Sequence, residues 1–217
     1  MKILAADTAL GACSVAVRDG ARVLAHRFEA MERGHAEALA PMVEEAMRQS
    51  GIAFAEIERL AVTTGPGTFT GQRVGLAFMR GLRVALKKPL VGVTTLEAMC
   101  AAALDEAKTD YAAAIHDARR GEAYLAIASK ADVLLPPTLV MQDAAAAKIA
   151  EVVPQSSVAL AGTAAQMVAE GLGKRATVTS ILQPDALWVA RLAAAAPEPA
   201  EAPHPLYLRA PDAKLPA

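Results

Sequence analysis

The chain has 217 residues, of which 54% are hydrophobic and 21% charged, so it has enough apolar material for a core and is predicted to fold. Its 22 basic and 23 acidic side chains nearly cancel, which excludes a strong overall electrostatic attraction to nucleic acid. No apolar run reaches the roughly 18 residues that cross a bilayer, and the first residues lack the pattern of a secretion signal. Because Cys13 and Cys100 lie far apart in apolar segments, we expect buried reduced thiols and a cytoplasmic protein without membrane association.

The first half of the chain predicts three strands followed by alternating helices and strands. The Asp19-Gly20 pair is a strong hairpin signal, and Thr94 with Glu97 forms a capping box at a helix start. Pro41 either kinks the first helix or moves its regular part to begin near Ala40. The predicted elements are strands at 2–6, 12–18 and 22–29, a helix at about 35–50, a strand at 60–64, a helix reaching about 86, a strand at 90–93 and a helix at about 95–104.

The second half repeats this pattern in a smaller and weaker form. The segment 197–205 is rich in proline and is predicted to be irregular, with 206–209 as a last ordered strip. The predicted elements are a strand at 111–115, a turn at 117–121, a strand at 124–129, a helix at 142–152, a strand at 158–161 and helices at 163–171 and near 185–196.

The order of elements resembles the ribonuclease-H-like half-domain of actins, sugar kinases and Hsp70 proteins. This resemblance implies an α/β protein with an actin-like, two-lobed fold in which each lobe is a mixed sheet flanked by helices. The N-terminal lobe is expected at 1–98 and a smaller C-terminal lobe at 99–217, with a tail that packs back on the first lobe. Because one fold serves many functions, the site needs a separate argument.

The glycine-rich loop after the fourth strand is the first place to look for a site. Gly65-Pro66-Gly67 follows an apolar run and leads through Thr68 and Thr70 into a helix. A Walker A loop needs Lys-Ser or Lys-Thr after its second glycine, whereas Gln72-Arg73 follow Gly71, and the dinucleotide fingerprint has a different glycine spacing. The pattern favours a turn that needs positive φ at glycine, with Thr68 or Thr70 capping the helix.

The helix after this loop contains more glycine than a helix usually tolerates. Gly75 and Gly81 each cost roughly 1 kcal/mol relative to alanine. We expect a compensating close approach of another backbone, which is either the sheet beneath the helix or a partner helix above it.

Other chemical candidates are weaker. Asp7-Thr8 ends the first strand where actin-like ATPases carry a phosphate loop, but Ala9 stands where that loop has a glycine, so the loop is degenerate. A nuclease would need a further carboxylate near Thr63, and His35 lacks a second histidine for a metal site. His116 is not expected to belong to a catalytic triad, because the sequence has no Gly-x-Ser-x-Gly nucleophile elbow. The two arginines at 119–120 are expected to be solvated. The sequence therefore predicts no catalytic residue, no bound cofactor and no metal.

Several motifs in order resemble the bacterial TsaB (YeaZ) family. They are Asp7-Thr8, 12–16, Arg33-Gly34-His35, 39–42, 65–75, 89–93 with 95–97, 117–122 and 207–209. The resemblance implies a non-catalytic scaffold for the TsaD transferase in the threonylcarbamoylation of adenosine 37 in tRNAs that read ANN codons. It also implies a heterodimer with TsaD, a ternary complex with the ATPase TsaE, a homodimer when alone and indirect contact with tRNA. ATP or ADP and metal are then expected on TsaD and TsaE.

The resemblance places the partner interface on the first two helices. Matched to this chain, it comprises His35, Ala36, Leu39, Ala40, Val43, Met47, Gly71, Arg73, Gly75, Met79 and Leu82. Thr68 stands where the family often has serine, which keeps the hydroxyl cap. The alternative function is an independent actin-like ATPase or a glycoprotease-like peptidase, and the missing phosphate glycine and nucleophile elbow favour the scaffold.

Overall fold

The computed structural model describes residues 1–209, which form two lobes built in the same order. The first lobe's elements are β1 (Lys2–Asp7), β2 (Ala12–Asp19), β3 (Arg22–Ala30), α1 (His35–Ser50), β4 (Arg59–Thr63), α2 (Phe69–Leu86) and β5 (Leu90–Val93), followed by α3 (Thr95–Ala107). The remaining elements are β6 (Tyr111–Arg119), β7 (Glu122–Ser129), β8 (Val133–Met141), α4 (Ala145–Val152), β9 (Val158–Ala161), α5 (Ala165–Leu172), β10 (Ala176–Val178) and α6 (Ala186–Ala195). Among these helices none combines the length and apolarity needed to cross a membrane.

Each lobe contains a mixed sheet of five strands. The first sheet has the order β3-β2-β1-β4-β5, with antiparallel pairing of β1, β2 and β3 and parallel pairing of β1, β4 and β5. The second has the order β8-β7-β6-β9-β10 with the same pattern of directions. The predicted fold and the predicted internal repeat are therefore confirmed.

Helices cover both faces of the first sheet. Leu4 and Ala6 on β1 pack with α1 and α2, whereas Ile3 and Ala5 on the same strand pack with α6. A strand that is buried on both faces reads as a continuous apolar run instead of an alternating one, which explains the sequence of β1.

Helix α1 begins and ends at glycines in the left-handed conformation, Gly34 (φ 91°) and Gly51 (φ 72°). It is helical from His35 through Pro41, so of the two alternatives that the sequence left open for Pro41, a regular part beginning near Ala40 is excluded. The predicted capping box of α3 is confirmed, because the Thr94 hydroxyl accepts the Glu97 amide and the Glu97 carboxylate accepts the Thr94 amide.

Two helices connect the lobes. Met99 and Cys100 of α3 pack with Ala112 and Ala114 of the second sheet. Helix α6, which comes late in the chain, returns to the first sheet, where its buried side chains join the cluster around Ile3. The predicted division at residues 98 and 99 stays a prediction.

The sequence did not predict strands β8 and β10. Pro136-Pro137 lies inside β8, where the sequence indicated a break, and proline is tolerated there because β8 is an edge strand. Strand β10 has only three residues, too few for a periodic signal.

Candidate functional site

The glycine-rich loop between β4 and α2 has the predicted turn and cap. Gly65 has φ 106°, a left-handed value that favours glycine, and the Gly65-Pro66 peptide is cis. The hydroxyl of Thr68 accepts the backbone N–H of Gly71 at 3.1 Å, so Thr68 and not Thr70 is the N-cap of α2.

The start of α2 lies directly on the loop that follows β1. Thr8 donates its hydroxyl to the Gly71 carbonyl at 2.7 Å, and the Thr68 amide donates to the Ala9 carbonyl at 2.8 Å. A Cβ on Gly71 would lie 2.2 Å from the Thr8 carbonyl oxygen, and one on Gly67 would lie 2.2 Å from the Ala9 carbonyl oxygen. Glycine at 67 and 71 is therefore a condition for this contact.

Of the other two glycines in α2, Gly75 faces the first sheet and Gly81 faces solvent. A Cβ on Gly75 would lie 2.7 Å from the Thr8 hydroxyl oxygen and 3.4 Å from Val62. A Cβ on Gly81 would meet nothing within 4 Å. The sequence left two explanations for the helix glycines open, and close packing against the sheet and its loop explains Gly71 and Gly75. A bulky residue at position 75 would therefore disturb packing inside the first lobe and would not be a specific test of an interface.

Two backbone amides of the loop after β1 donate hydrogen bonds within the chain. The amide of Ala9 donates to the Asp7 carboxylate at 3.2 Å, and the amide of Gly11 donates to the Gln183 side chain at 2.9 Å. The Leu10 side chain is buried in the core between α3 and the second sheet. Nucleotide phosphates in actin-like proteins are held by such loop amides. Here the Ala9 and Gly11 amides would have to give up these hydrogen bonds to bind a phosphate, and the absence of a cofactor stays a prediction.

Asp7 is fully buried beneath this loop. One carboxylate oxygen accepts the Thr63 hydroxyl at 2.6 Å and the Ala9 amide, and the other has no hydrogen-bond partner. Burial raises the pKa of Asp7 from 3.8 to about 7, although the Thr63 and Ala9 hydrogen bonds lower it and the charge of Asp185 raises it further. Asp7 is therefore a structural group in this lobe, with its oxygens directed into the protein.

His35 is also a structural residue. Its Nε2 lies 2.9 Å from the Leu10 carbonyl oxygen, so it connects the first turn of α1 to the β1–β2 loop.

His116 is buried at the end of β6 with Nδ1 unpartnered, and burial lowers its pKa to about 4, so it is neutral at pH 7. Burial raises the pKa values of Cys13 and Cys100 to about 12, and both are free thiols in apolar cores. Within residues 1–209 no group of three or more His, Cys, Asp or Glu side chains could hold a metal ion.

The predicted interface residues divide into two layers. Ala36 and Arg73 are exposed, and Ala40 and Leu82 are half-buried. The others lie inside the lobe: His35, Leu39, Val43, Met47, Gly71, Gly75 and Met79. The predicted set therefore forms an outer layer and an inner layer in the isolated chain, and its contact with a partner stays a prediction.

The tail after α6 lies on α2, and sequence reasoning missed its contacts. The Leu206 amide donates to the Thr64 carbonyl at 2.7 Å, and Arg80 donates to the Pro203 carbonyl. Arg73 donates to the Tyr207 hydroxyl at 2.9 Å. These partners are more than 120 residues apart along the chain, and no local pattern signals such contacts.

The architecture has counterparts among solved structures. YeaZ from Pseudomonas aeruginosa superposes with a TM-score of 0.81 at 31% identity, covering 95% of this chain and 99% of that one. An activator of 2-hydroxyisocaproyl-CoA dehydratase from Clostridium difficile, solved with bound ADPNP, superposes with a TM-score of 0.51 at 13% identity over 89% of this chain and 94% of that one. The two repeated lobes therefore define a protein with the fold of the actin-like ATPases.

Sequence comparison assigns the family. A family described as "TsaD: tRNA N6-adenosine threonylcarbamoyltransferase" matches residues 23–180. The tRNA threonylcarbamoyladenosine biosynthesis protein TsaB of Escherichia coli K12 is 41% identical over 126 residues, which are 58% of this chain and 54% of that protein. The chain belongs to the TsaB (YeaZ) family, within the wider TsaD family. The match spans about half the length of the curated TsaB relatives.

The two classes of glycine in α2 predict opposite effects of one substitution. Gly71→Ala should lower the free energy of unfolding by about 1–3 kcal/mol, because its Cβ collides with backbone at Thr8. Gly81→Ala should raise it by about 1 kcal/mol, since alanine favours the helix and the added methyl group meets open space. Urea denaturation followed by circular dichroism measures both, and two changes of the same sign would contradict this account.

The buried carboxyl of Asp7 predicts a pH dependence of stability. Because its folded-state pKa of about 7 exceeds the ordinary 3.8, the folded chain holds the proton longer, and stability falls as pH rises between these values. The shift corresponds to about 4 kcal/mol at 1.36 kcal/mol per pKa unit. Asp7→Asn should flatten the pH dependence of the urea midpoint between these values. Asp132→Asn, at an exposed position, is the control, and parallel curves for wild type and Asp7→Asn would contradict the assignment.

Proposed function

We propose that this chain is a non-catalytic partner of the TsaD transferase in the cytoplasm, in the threonylcarbamoylation of adenosine 37 of tRNAs that read ANN codons. Membership of the TsaB family supports the pathway. One observation in the site supports the non-catalytic role: the Gly11 amide in the loop that would hold phosphates donates to Gln183, and the Ala9 carbonyl of that loop accepts the Thr68 amide. The role left to the chain is to bind and position the protein that performs the chemistry.

The proposed binding surface is formed by the outward faces of α1 and α2. Both helices pack on one face of the first sheet, so their outer sides form a continuous surface. Ala77, Gly81 and Val84 on α2 follow each other at helical spacing and are exposed, as are Ala36 and Pro41 on α1. Small side chains allow a partner helix to approach closely, and Val84, which is 72% exposed, supplies apolar area to bury.

The inner layer has a supporting part in this proposal. Leu39, Val43 and Met79 fill the space between the helices and the sheet and so fix the angle at which the outer surface is presented. The same surface would form the homodimer of the isolated chain, and TsaE would join the complex formed with TsaD. In this scheme ATP or ADP and metal belong to TsaD and TsaE.

Val84→Glu should abolish binding to TsaD while leaving the fold intact. An unpaired carboxylate buried at an interface costs about 3–5 kcal/mol, so the affinity should fall at least about 100-fold. Val133→Glu is the matched control, because Val133 is also an exposed valine, 47% accessible, on β8 of the other lobe. Co-elution with TsaD and the mass of the isolated chain in sedimentation give the readout, and equal behaviour of the two variants would place the interface elsewhere.

The function itself is tested by threonylcarbamoylation of tRNA in a reconstituted mixture of TsaD, TsaE and the enzyme that supplies threonylcarbamoyl-adenylate. Modification should require the chain, tolerate Val133→Glu and fail with Val84→Glu. Equal modification without the chain would overturn the proposal. Nucleotide or peptide hydrolysis by the isolated chain that Asp7→Ala removes would favour the alternative of an independent ATPase or peptidase.

A further inference from the structure

An aromatic and guanidinium stack stands on the surface where α2 begins. The rings of Phe69 and Tyr207 are stacked with centroids 5.8 Å apart and an angle of 29° between their planes. The Arg73 guanidinium carbon lies 3.5 Å from the Phe69 ring centroid, and the Arg73 Nε donates to the Tyr207 hydroxyl. Phe69 is nevertheless 55% exposed and Tyr207 42% exposed. Two aromatic rings and a planar cation are therefore held in place while much of their area faces water.

Both segments that carry these rings are anchored. Phe69 follows Thr68, whose amide is bonded to Ala9 and whose hydroxyl caps α2. Tyr207 follows Leu206, whose amide is bonded to the Thr64 carbonyl. Because the anchors fix the rings in advance, a ligand that stacks on them loses little conformational freedom of the protein on binding.

The surface beside the stack is rich in arginine. Arg209 of the tail forms an ion pair with Glu122, and Glu122 lies opposite Arg119 in the β6–β7 strand register. Arg119 and Arg120 are exposed and have φ values of 65° and 59°, a left-handed conformation that is uncommon for a residue other than glycine. The nearby carboxylate of Asp117 accepts the Arg119 amide and the Gln142 side chain, which partly satisfies it within the turn.

We propose that this surface, named here the stacking patch and comprising Phe69, Arg73, Tyr207, Arg119 and Arg209, binds a single-stranded segment of RNA. An unpaired base would stack on the exposed Phe69 and Tyr207 rings, and the neighbouring guanidinium groups would contact phosphates. Unpaired loop bases offer their faces for stacking, whereas paired bases in a helix do not. The inference rests on the proposed function for the presence of tRNA and adds direct contact between this chain and an RNA loop.

A protein partner on the outer face of α2 leaves room for this contact. Val84 lies 15 residues beyond Phe69 on α2, which at 1.5 Å per residue is roughly 22 Å along the helix. The part of the partner surface around Val84 and the stacking patch therefore lie at opposite ends of α2. Ala36 lies nearer the patch, because the starts of α1 and α2 both contact the loop after β1.

The test uses the isolated full chain and a fluorescein-labelled RNA hairpin with an unpaired, adenosine-containing loop. Fluorescence anisotropy at ~50 mM and ~200 mM salt should show binding that weakens with salt. Phe69→Ala should weaken it roughly 10- to 100-fold through the loss of one base stack. Tyr207→Phe should retain binding because it keeps the ring. Phe28→Ala is the matched control, since Phe28 is 44% exposed on β3, away from the patch.

Three outcomes would overturn the inference: no binding to the hairpin, equal affinity of Phe69→Ala and Phe28→Ala, or equal affinity for the hairpin and for a duplex of the same length. If Phe69→Ala loses co-elution with TsaD but keeps RNA affinity, the patch belongs to the protein interface and the inference fails while the proposed function stands. If the chain proves dispensable for tRNA modification, the proposed function fails, and the anisotropy result still decides whether the patch binds RNA.

Discussion

The contact between the start of α2 and the loop after β1 determines much of the first lobe. The backbone oxygens of Thr8 and Ala9 face Gly71 in α2 and Gly67 in the loop before it. Because neither glycine has a Cβ, the two backbones approach to hydrogen-bonding distance. With α2 seated there, His35 of α1 reaches the same loop, and the tail reaches α2. A single side chain added at this contact would have to move either the loop or the helix.

The loop after β1 also contributes to the packing between the lobes. In an actin-like ATPase the loop after the first strand and the space between the lobes receive the ligand. Here Leu10 fills part of that space with apolar volume, and Gln183 occupies the Gly11 amide. Helices α3 and α6 each add buried contacts between the two halves of the chain. Buried apolar contacts therefore join the two halves of the chain around Leu10.

The sequence predicted the elements with strong local signals and missed those that tertiary context decides. The Thr94 and Glu97 box, the Asp19-Gly20 hairpin and the cap of α2 depend on neighbours within a few residues. The first two were predicted correctly, and the structure selects Thr68 from the two caps that the sequence left open. Helical spacing showed which residues of α2 share a face, but not whether that face points to the sheet or to solvent. Gly75 and Met79 share a face that points to the sheet, whereas Gly81 points outward, and periodicity alone does not say which side is buried. Tyr207 and Gln183 contact residues that are 134 and 172 positions away along the chain, and no local sequence pattern indicates such contacts.

The outer strands of the two sheets limit how copies of this chain, or other proteins, associate with it. In β8, an edge strand of the second sheet, the nitrogens of Pro136 and Pro137 carry no hydrogen, so two positions lack a donor for an added strand. In β3, an edge strand of the first sheet, charged side chains such as Arg22, Arg27 and Glu29 lie along the strand. Both features discourage the growth of a sheet across two molecules, which protects the fold against strand-mediated aggregation. Recognition by this molecule is thereby left to its helices and its tail.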